Sequence, residues 1–291
     1  MKFILGRAIA KMLRNFVAND YVFVRSAVPV NRSYSSAPQE SKVAVDGIKI
    51  NYVKVGCGPK SVLCLPGALG SIWSDFKPQV QGLDKSKFTV IAWDPPGYGN
   101  SRPPTRDFPQ DFFHRDADWA LKLMQTLSID KFSMLGWSDG GITAMIAAAK
   151  HPEQIDKLVI WGANSYVVDQ EAKIYENMRD ISKWSERMKT PLINLYGEEG
   201  LSAMWTQWVD ALLDIYKNQN GDICKGYLSK ITCPTLIVHG NKDAMLAPEH
   251  PGYLLKHIQH SKLHTFEDGK HNLHLRYAEE FNNLVTEFLI K

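Results

Sequence analysis

Residues 136–140 read Gly-Trp-Ser-Asp-Gly and stand between a short apolar run, Phe132–Leu135, and a stretch of helical character, Gly141–Ala149. A serine within G-x-S-x-G at a strand-to-helix turn is typical of a nucleophile elbow. The flanking glycines allow a turn so tight that side chains at these positions would clash. The pattern therefore predicts that the Ser138 hydroxyl lies at the edge of a sheet and at a helix N-terminus, where developing negative charge is favoured.

The rest of the chain alternates between strand-like and helix-like periods. Eight β-rich apolar runs occur, at Lys42–Val45, Ile48–Val55, Ser61–Leu65, Phe88–Trp93, Phe132–Leu135, Lys157–Trp161, Thr235–Val238 and Lys262–Phe266. Helical stretches separate most of the later runs, at Asp111–Leu127, Gly141–His151, Pro248–His257 and Ala278–Ile290. The first runs follow one another like a hairpin meander, whereas the later alternation predicts βαβ units and a parallel sheet.

Residues 166–226 interrupt this alternation, because they carry helical patterns at Glu171–Lys189, Pro191–Tyr196 and Leu201–Tyr216 but no strand signal. A structureless loop of that length is improbable inside a compact domain. We expect a helical cap inserted between two parts of an α/β core, residues 35–165 and 227–291. The tryptophans of this segment are expected either to form the core of the cap or to line a pocket, and they are Trp184, Trp205 and Trp208.

A serine hydroxyl needs a base within hydrogen-bond reach and a carboxylate that orients the base. In an elbow of this type the chain order is serine, acid, histidine. Asp243 follows the buried run that ends at Val238, and His271 lies in the loop before the last helix. We therefore predict Ser138 as nucleophile, Asp243 as acid and His271 as base. A capping or turn role for Asp243, and His274 as the base, are the alternatives.

Two backbone N–H groups are expected to form an oxyanion hole. One belongs to Asp139, the residue after the nucleophile. The other belongs to Ala68 or Leu69, which follow Leu65-Pro66-Gly67, although an ordinary strand-ending turn would give the same glycine pattern. Metal-ligand spacings and a P-loop are absent from the sequence, so we expect neither a metal nor a cofactor.

The side chain of Asp139 predicts something about the substrate. An acid beside the nucleophile repels the oxyanion, and it becomes favourable only when the substrate carries a cation that neutralises it. This argument favours a substrate that carries a positive charge. The alternative is an internal ion pair between Asp139 and a lysine or arginine, since buried charges are usually paired.

The net charge of +3 is unevenly distributed along the chain. The first 34 residues contain six basic residues and one acid, so the remainder carries a net charge of −2, which argues against a nucleic-acid partner. Basic residues interrupt every apolar run of residues 1–34, so we expect no membrane span there. The segment resembles a mitochondrial transit peptide, the alternative being a basic tail without a targeting role. We further expect a monomer. The four cysteines are expected to be reduced, because no C-x-x-C pair is present.

The motifs together resemble the α/β-hydrolase superfamily across residues 42–291. They are Leu-Pro-Gly at 65–67, Trp-Asp-x-x-Gly-Tyr-Gly-x-Ser at 93–101, Gly-Trp-Ser-Asp-Gly-Gly at 136–141, His-Gly-x-x-Asp at 239–243 and Gly-Lys-His-Asn-Leu-His at 269–274. The resemblance implies a mostly parallel eight-stranded sheet with helices on both faces and a helical cap.

Within the superfamily, the chain is similar to mitochondrial serine hydrolases that cleave α-amino acid esters, including prodrugs. This similarity assigns the triad to Ser138, Asp243 and His271, and recognition of the substrate ammonium to Asp139. Ala68 departs from the pattern, where a methionine is expected, and so does Pro96, where an arginine is common. A general carboxylesterase or thioesterase, a C–C bond hydrolase of ring-cleavage products, and a non-catalytic binding module are the alternative functions.

Arg32-Ser33-Tyr34-Ser35 resembles a mitochondrial processing site, in which an arginine lies a few residues before the cut. We predict cleavage after Tyr34, which would make Ser35 the first residue of the mature protein. N-terminal sequencing of protein purified from its native source tests this, and a chain that begins at Met1 contradicts it.

Overall fold

A computed structural model of the chain describes residues 38–291, so the predicted presequence and its cleavage point lie outside the described residues and stay predictions. The described strands are β1 (Glu40–Val45), β2 (Ile48–Val55), β3 (Lys60–Leu65), β4 (Phe88–Trp93), β5 (Phe132–Trp137), β6 (Ile155–Trp161), β7 (Thr235–Gly240) and β8 (Ser261–Phe266). Each predicted strand lies within one of these. Alternation and apolar runs were therefore sufficient to locate them.

The eight strands form one sheet in the order β1-β2-β4-β3-β5-β6-β7-β8. β1 and β2 form a hairpin closed by Asp46 and Gly47, both at positive φ, as a two-residue Asp-Gly turn requires. β2 also pairs antiparallel with β4, and all remaining neighbours are parallel. The predicted α/β-hydrolase architecture, a mostly parallel eight-stranded sheet, is confirmed.

Helices cover both faces of the sheet. They are α1 (Ile72–Asp75), α2 (Lys77–Gly82), α3 (Phe112–Thr126), α4 (Asp139–Lys150), α5 (Asp169–Met178), α6 (Glu186–Tyr196), α7 (Glu198–Asn218), α8 (His250–His257), α9 (Leu273–Arg276) and α10 (Ala278–Ile290). Alternate residues of β3 enter different cores: Leu63 and Leu65 pack with α3 and α4, and Val62 and Cys64 pack with α2 and α10. β4 is buried along its whole length, as a strand covered on both faces must be.

The segment between β6 and β7 is helical, and an antiparallel bridge between Tyr166 and Asp222 joins its two ends. The single helix predicted over Glu171–Lys189 is not observed. α5 ends at Met178, a 3₁₀ turn follows at Ile181–Lys183, and α6 begins at Glu186 and continues through Pro191. Side chains favour this break. Asp180 accepts a hydrogen bond from the Ser182 N–H (3.0 Å), and the Trp184 indole donates to the Met178 carbonyl (3.0 Å).

The sequence did not predict α1 and α2, because four and six residues are too few to express a helical period. Within residues 38–291 no helix is long and apolar enough to cross a membrane. All four cysteines are free, and three of them are buried.

Candidate active site

Ser138 occupies the turn between β5 and α4 in a strained conformation, with φ 54° and ψ −122°. A non-glycine residue in such a region costs about 1–3 kcal/mol, which the surroundings must offset. Its N–H donates to the Trp161 carbonyl (3.0 Å), and its carbonyl accepts from the N–H groups of Gly141 (2.8 Å) and Ile142 (3.1 Å). These bonds hold the hydroxyl at the helix N-terminus.

Two glycines make the turn sterically possible. A Cβ on Gly140 would lie 2.0 Å from the carbonyl oxygen of Leu65, and a Cβ on Gly136 would lie 2.5 Å from the carbonyl oxygen of Gly140. Neither position accommodates a side chain, so the glycines of the motif are needed for the close packing of α4 against β3 and β5.

The three predicted triad residues meet although 105 and 28 residues separate them along the chain. His271 Nε2 lies 3.2 Å from Ser138 Oγ, and His271 Nδ1 lies 2.9 Å from Asp243 Oδ2. A histidine protonated on Nδ1 donates to Asp243 and leaves Nε2 to accept the serine proton. This is the geometry that general-base activation of a hydroxyl requires.

Asp243 is held ionised for this task. Burial alone would raise the pKa of its carboxyl, but His271 and the Met245 N–H (2.8 Å) keep that pKa below its ordinary value. The rival base, His274, is fully buried and hydrogen-bonded on both ring nitrogens. Its Nδ1 accepts from the Trp161 indole and its Nε2 donates to the Asp75 carbonyl, both at 2.9 Å. Burial lowers the pKa of His274 to about 3, so the structure favours His271 as the base.

The loop after β3 packs directly against the nucleophile, because a Cβ on Gly67 would lie 3.3 Å from the Ser138 Cβ. The Gly67 N–H donates to buried Asp75 (2.9 Å) and is therefore not free. Within residues 38–291 the N–H groups of Ala68, Leu69 and Asp139 donate to no protein acceptor. These three are the predicted oxyanion donors.

The Asp139 carboxylate is buried, and its observed partner is the Trp208 indole, which donates to it at 2.7 Å. The nearby Arg106 forms a two-pronged ion pair with Asp116 instead, at 2.8 and 2.5 Å. Within the described residues no lysine or arginine nitrogen lies within 4.0 Å of the Asp139 carboxylate, so the internal ion pair considered as the alternative is not observed. Burial raises the pKa of Asp139 to about 7, although Trp208 and Arg106 act in the opposite direction.

A small cavity of about 20 Å³ lies beside Ser138, Asp139 and His271. The helical segment contributes Tyr175, Trp208 and Leu212 to its wall. Both expectations for the tryptophans are partly met. Trp184 and Trp205 both donate to the Met178 carbonyl and form the core of the segment, whereas Trp208 stacks on Trp205 (4.6 Å) and also faces the site.

Sequence reasoning missed two contacts that tie the helical segment to the core. Glu171 is fully buried and accepts from the N–H groups of Ala247 (3.0 Å), in the loop that carries Asp243, and Val168 (3.1 Å). The Tyr196 hydroxyl bonds the loop after β3. An acid in a helical first turn and a tyrosine near a helix end are too common to be distinctive in sequence.

Pro96, the second departure, accepts through its carbonyl from Arg106 (3.2 Å). The part of the chain that the structure describes contains no group of side chains suited to a metal ion.

Comparison with known proteins gives the family. The family described as alpha/beta hydrolase fold matches residues 60–190. The serine hydrolase BPHL of Mus musculus is 51% identical over 268 residues, covering 92% of each chain. The Homo sapiens serine hydrolase BPHL is 51% identical over 257 residues, covering 88% of each chain. A solved meta-cleavage product hydrolase from Pseudomonas fluorescens IP01 shares the fold, with a TM-score of 0.70 and 22% identity over 85% of this chain and 96% of that one.

The chain therefore belongs to the α/β-hydrolase family and is a serine hydrolase, which confirms the resemblance seen in its motifs.

We predict that Ser138→Ala lowers kcat by about three to six orders of magnitude, because only the oxyanion donors and substrate binding remain. Steady-state hydrolysis of an activated ester measures this, together with loss of labelling by a fluorophosphonate. Ser133→Ala is the matched control, since Ser133 is buried within β5, the strand that precedes Ser138, and lies away from the site. Near-normal turnover of Ser138→Ala would contradict the assignment of the nucleophile.

Proposed function

We propose that this α/β hydrolase is a serine esterase that cleaves carboxylic esters of α-amino acids, amino-acid ester prodrugs among them. One observation carries the proposal. The carboxylate of Asp139 is buried beside the nucleophile, borders the cavity that contains Ser138 and His271, and has an indole N–H rather than a cation as its partner. In the proposed reaction, the α-ammonium group of the substrate is that cation.

The charges around the site favour a cationic substrate. Arg106 and Asp116 neutralise each other, so the three buried side chains Arg106, Asp116 and ionised Asp139 together carry a net charge of −1. A buried carboxylate without a counter-charge is costly, and an ammonium group would offset that cost. At an effective dielectric constant of 20, two unit charges 4 Å apart attract by about 4 kcal/mol. An interaction of that size is sufficient to select amino esters over neutral ones.

The same cation helps the chemistry. In the proposed acylation, Ser138 Oγ attacks the ester carbonyl carbon while His271 Nε2 takes its proton. The N–H groups of Asp139 and of Ala68 or Leu69 bind the resulting oxyanion. An ammonium paired with the Asp139 carboxylate cancels the repulsion that this carboxylate would otherwise exert on the oxyanion. A neutral ester therefore loses both a binding contact and part of the transition-state stabilisation.

Deacylation repeats the sequence with water as the nucleophile. His271 gives its proton to the leaving alcohol, then takes one from the water that attacks the acyl-enzyme carbonyl. Asp243 supports the charge on the imidazolium in both steps. The ester is split into alcohol and amino acid, and the enzyme returns to its starting protonation state.

The side chains around the small cavity are mostly apolar, as contact with the side chain of an amino acid would require. Ile142, Leu212 and Leu246 line the cavity together with the ring of Trp208. The small Ala68 at the mouth of the predicted oxyanion hole leaves more room than a methionine would.

The alternative of a C–C bond hydrolase has less support. The fold it would need is present, but the likeness to the Pseudomonas fluorescens hydrolase is one of fold alone. A ring-cleavage product of the vinylogous diketo-acid type is anionic, and ionised Asp139 opposes it. Turnover of such a compound would favour this alternative, and a lack of preference between amino and neutral esters would favour a general carboxylesterase.

We predict that Asp139→Asn lowers kcat/KM for an α-amino acid ester by about 30- to 1000-fold, equivalent to about 2–4 kcal/mol of lost attraction. For the size-matched ester without the amino group, kcat/KM should stay constant or rise, because the charge that opposes the oxyanion is removed while the backbone N–H remains.

Asp243→Asn is the matched control for this prediction, since it makes the same chemical change at the triad acid. It should lower kcat/KM for both esters by the same factor. An equal loss on both esters in Asp139→Asn as well would assign Asp139 a structural role.

The pH dependence follows from the raised pKa of Asp139, about 7. Below that pH the carboxyl becomes protonated and neutral, so the preference for the amino ester should fall as the pH decreases. Above about pH 8 the α-amino group of the substrate, with an ordinary pKa of about 7.7–8.0, loses its own charge. The ratio of kcat/KM for the two esters should therefore peak between about pH 7 and 8.

This ratio cancels every pH effect that acts on both esters alike. Asp139→Asn should abolish the decline of the ratio on the acid side. A ratio that stays constant in the wild-type enzyme from about pH 5.5 to about pH 7, the window in which the Asp139 carboxyl loses its proton, would contradict recognition by an ionised Asp139.

A further inference from the structure

Helix α6 ends at Tyr196, whose buried side chain contacts two loops at the edge of the sheet. The hydroxyl donates a hydrogen bond to the carbonyl of Leu69 (2.9 Å), in the loop after β3. It also accepts a hydrogen bond from the N–H of Gly99 (3.0 Å), in the loop after β4. One hydroxyl of the helical segment thus links two loops of the α/β core.

The ring of Tyr196 is held in place from its other side. The guanidinium of Arg102 lies 4.7 Å from the ring centroid, within the range of cation–π attraction. Arg102 also donates to the carbonyls of Gly99 (2.8 Å) and Leu195 (2.7 Å), so it spans from the β4 loop to the end of α6. Burial raises the pKa of Tyr196 above its ordinary value, so the hydroxyl keeps its proton and remains a donor.

Leu69 needs such support because its backbone is strained, with φ 58°. A left-handed conformation is unfavourable for an L-residue with a bulky side chain, because its Cβ lies too close to the following carbonyl oxygen. If the Leu69 carbonyl lost its partner, the residue would relax toward negative φ. That rotation would turn the Leu69 N–H, a free donor of the loop, away from its present direction.

We propose that Tyr196 is a positioning residue for the oxyanion hole. Its hydroxyl fixes the Leu69 carbonyl and thereby the φ of Leu69, which sets the direction of the Leu69 N–H. The arrangement makes correct alignment of the hole depend on docking of the helical segment. The inference rests on the proposed function in one respect, the assignment of this loop as the second half of the hole.

Tyr196→Phe tests the proposal, since it removes only the hydroxyl. We expect kcat to fall about tenfold with KM within twofold, less than the 10²–10³-fold loss typical of removing an oxyanion donor outright. The amino ester and its des-amino analogue should lose equally, because both form the same oxyanion. Affinity for benzeneboronic acid, whose tetrahedral adduct with the serine places an oxygen in the hole, should fall in parallel with kcat.

Tyr216→Phe is the matched control, because the Tyr216 hydroxyl donates to Asp169 (3.2 Å) on the surface of the same helical segment. Its kcat and boronate affinity should equal those of the wild type. The two proposals remain distinguishable. Failure of the amino-ester proposal would appear as no preference between esters in the wild type, whereas the effect of Tyr196→Phe is read within each ester.

A kcat and boronate affinity within twofold of wild type in Tyr196→Phe would overturn the proposal, and so would a loss of kcat with unchanged boronate affinity.

If Tyr196→Phe unfolds below the assay temperature, Arg102→Met decides. It leaves the hydroxyl but removes the support of the ring, and it should lower kcat and boronate affinity together by about two- to fivefold, as small misalignments of catalytic groups do. An Arg102→Met enzyme with unchanged values of both would overturn the proposal.

Discussion

Helix α4 approaches β3 so closely that a Cβ at Gly140 would lie 2.0 Å from the carbonyl oxygen of Leu65. This contact joins the turn that holds Ser138 to the loop that begins at Pro66, and it brings nucleophile and oxyanion donors to the same edge of the sheet. Because β5, β7 and β8 run parallel, their carboxyl ends lie at this same edge of the sheet. The segments that follow these strands carry Ser138, Asp243 and His271. The catalytic geometry is thus a consequence of strand direction and of one close approach.

In the proposed function, specificity has a different origin, the electrostatics of a single buried carboxylate. Asp139 belongs to the elbow for its backbone N–H, and its side chain is then forced into the same enclosed space. The Trp208 indole satisfies one oxygen without cancelling the charge, and Arg106 is already paired with Asp116. A site with one uncompensated negative charge beside a nucleophile is suited to a substrate that brings one positive charge. The helical segment contributes to both functions, through Trp208 at the carboxylate and Tyr196 at the loop after β3.

Most of the core could be predicted from sequence because its signals are local. Strand periods and the G-x-S-x-G elbow each depend on a few adjacent residues. The triad followed from chain order, although only the structure separates His271 from His274, since the two differ in burial and partners rather than in residue type. The helical segment was predicted less well. The break after Met178 depends on hydrogen bonds from Asp180 and Trp184 to the backbone. The contact of Trp208 with Asp139 spans 69 positions of the chain, and that of Tyr196 with Leu69 spans 127. Contacts at that separation leave no periodic trace in the sequence.

The most direct test of the account is a crystal structure of Ser138→Ala with an α-amino acid ester bound. We predict that the ammonium nitrogen lies at hydrogen-bond distance, about 2.7–3.0 Å, from a carboxylate oxygen of Asp139. The ester carbonyl oxygen should point toward the N–H group of Asp139 and that of Ala68 or Leu69. An ammonium group directed to solvent, with Asp139 bonded only to Trp208, would contradict the central claim that this carboxylate selects the substrate.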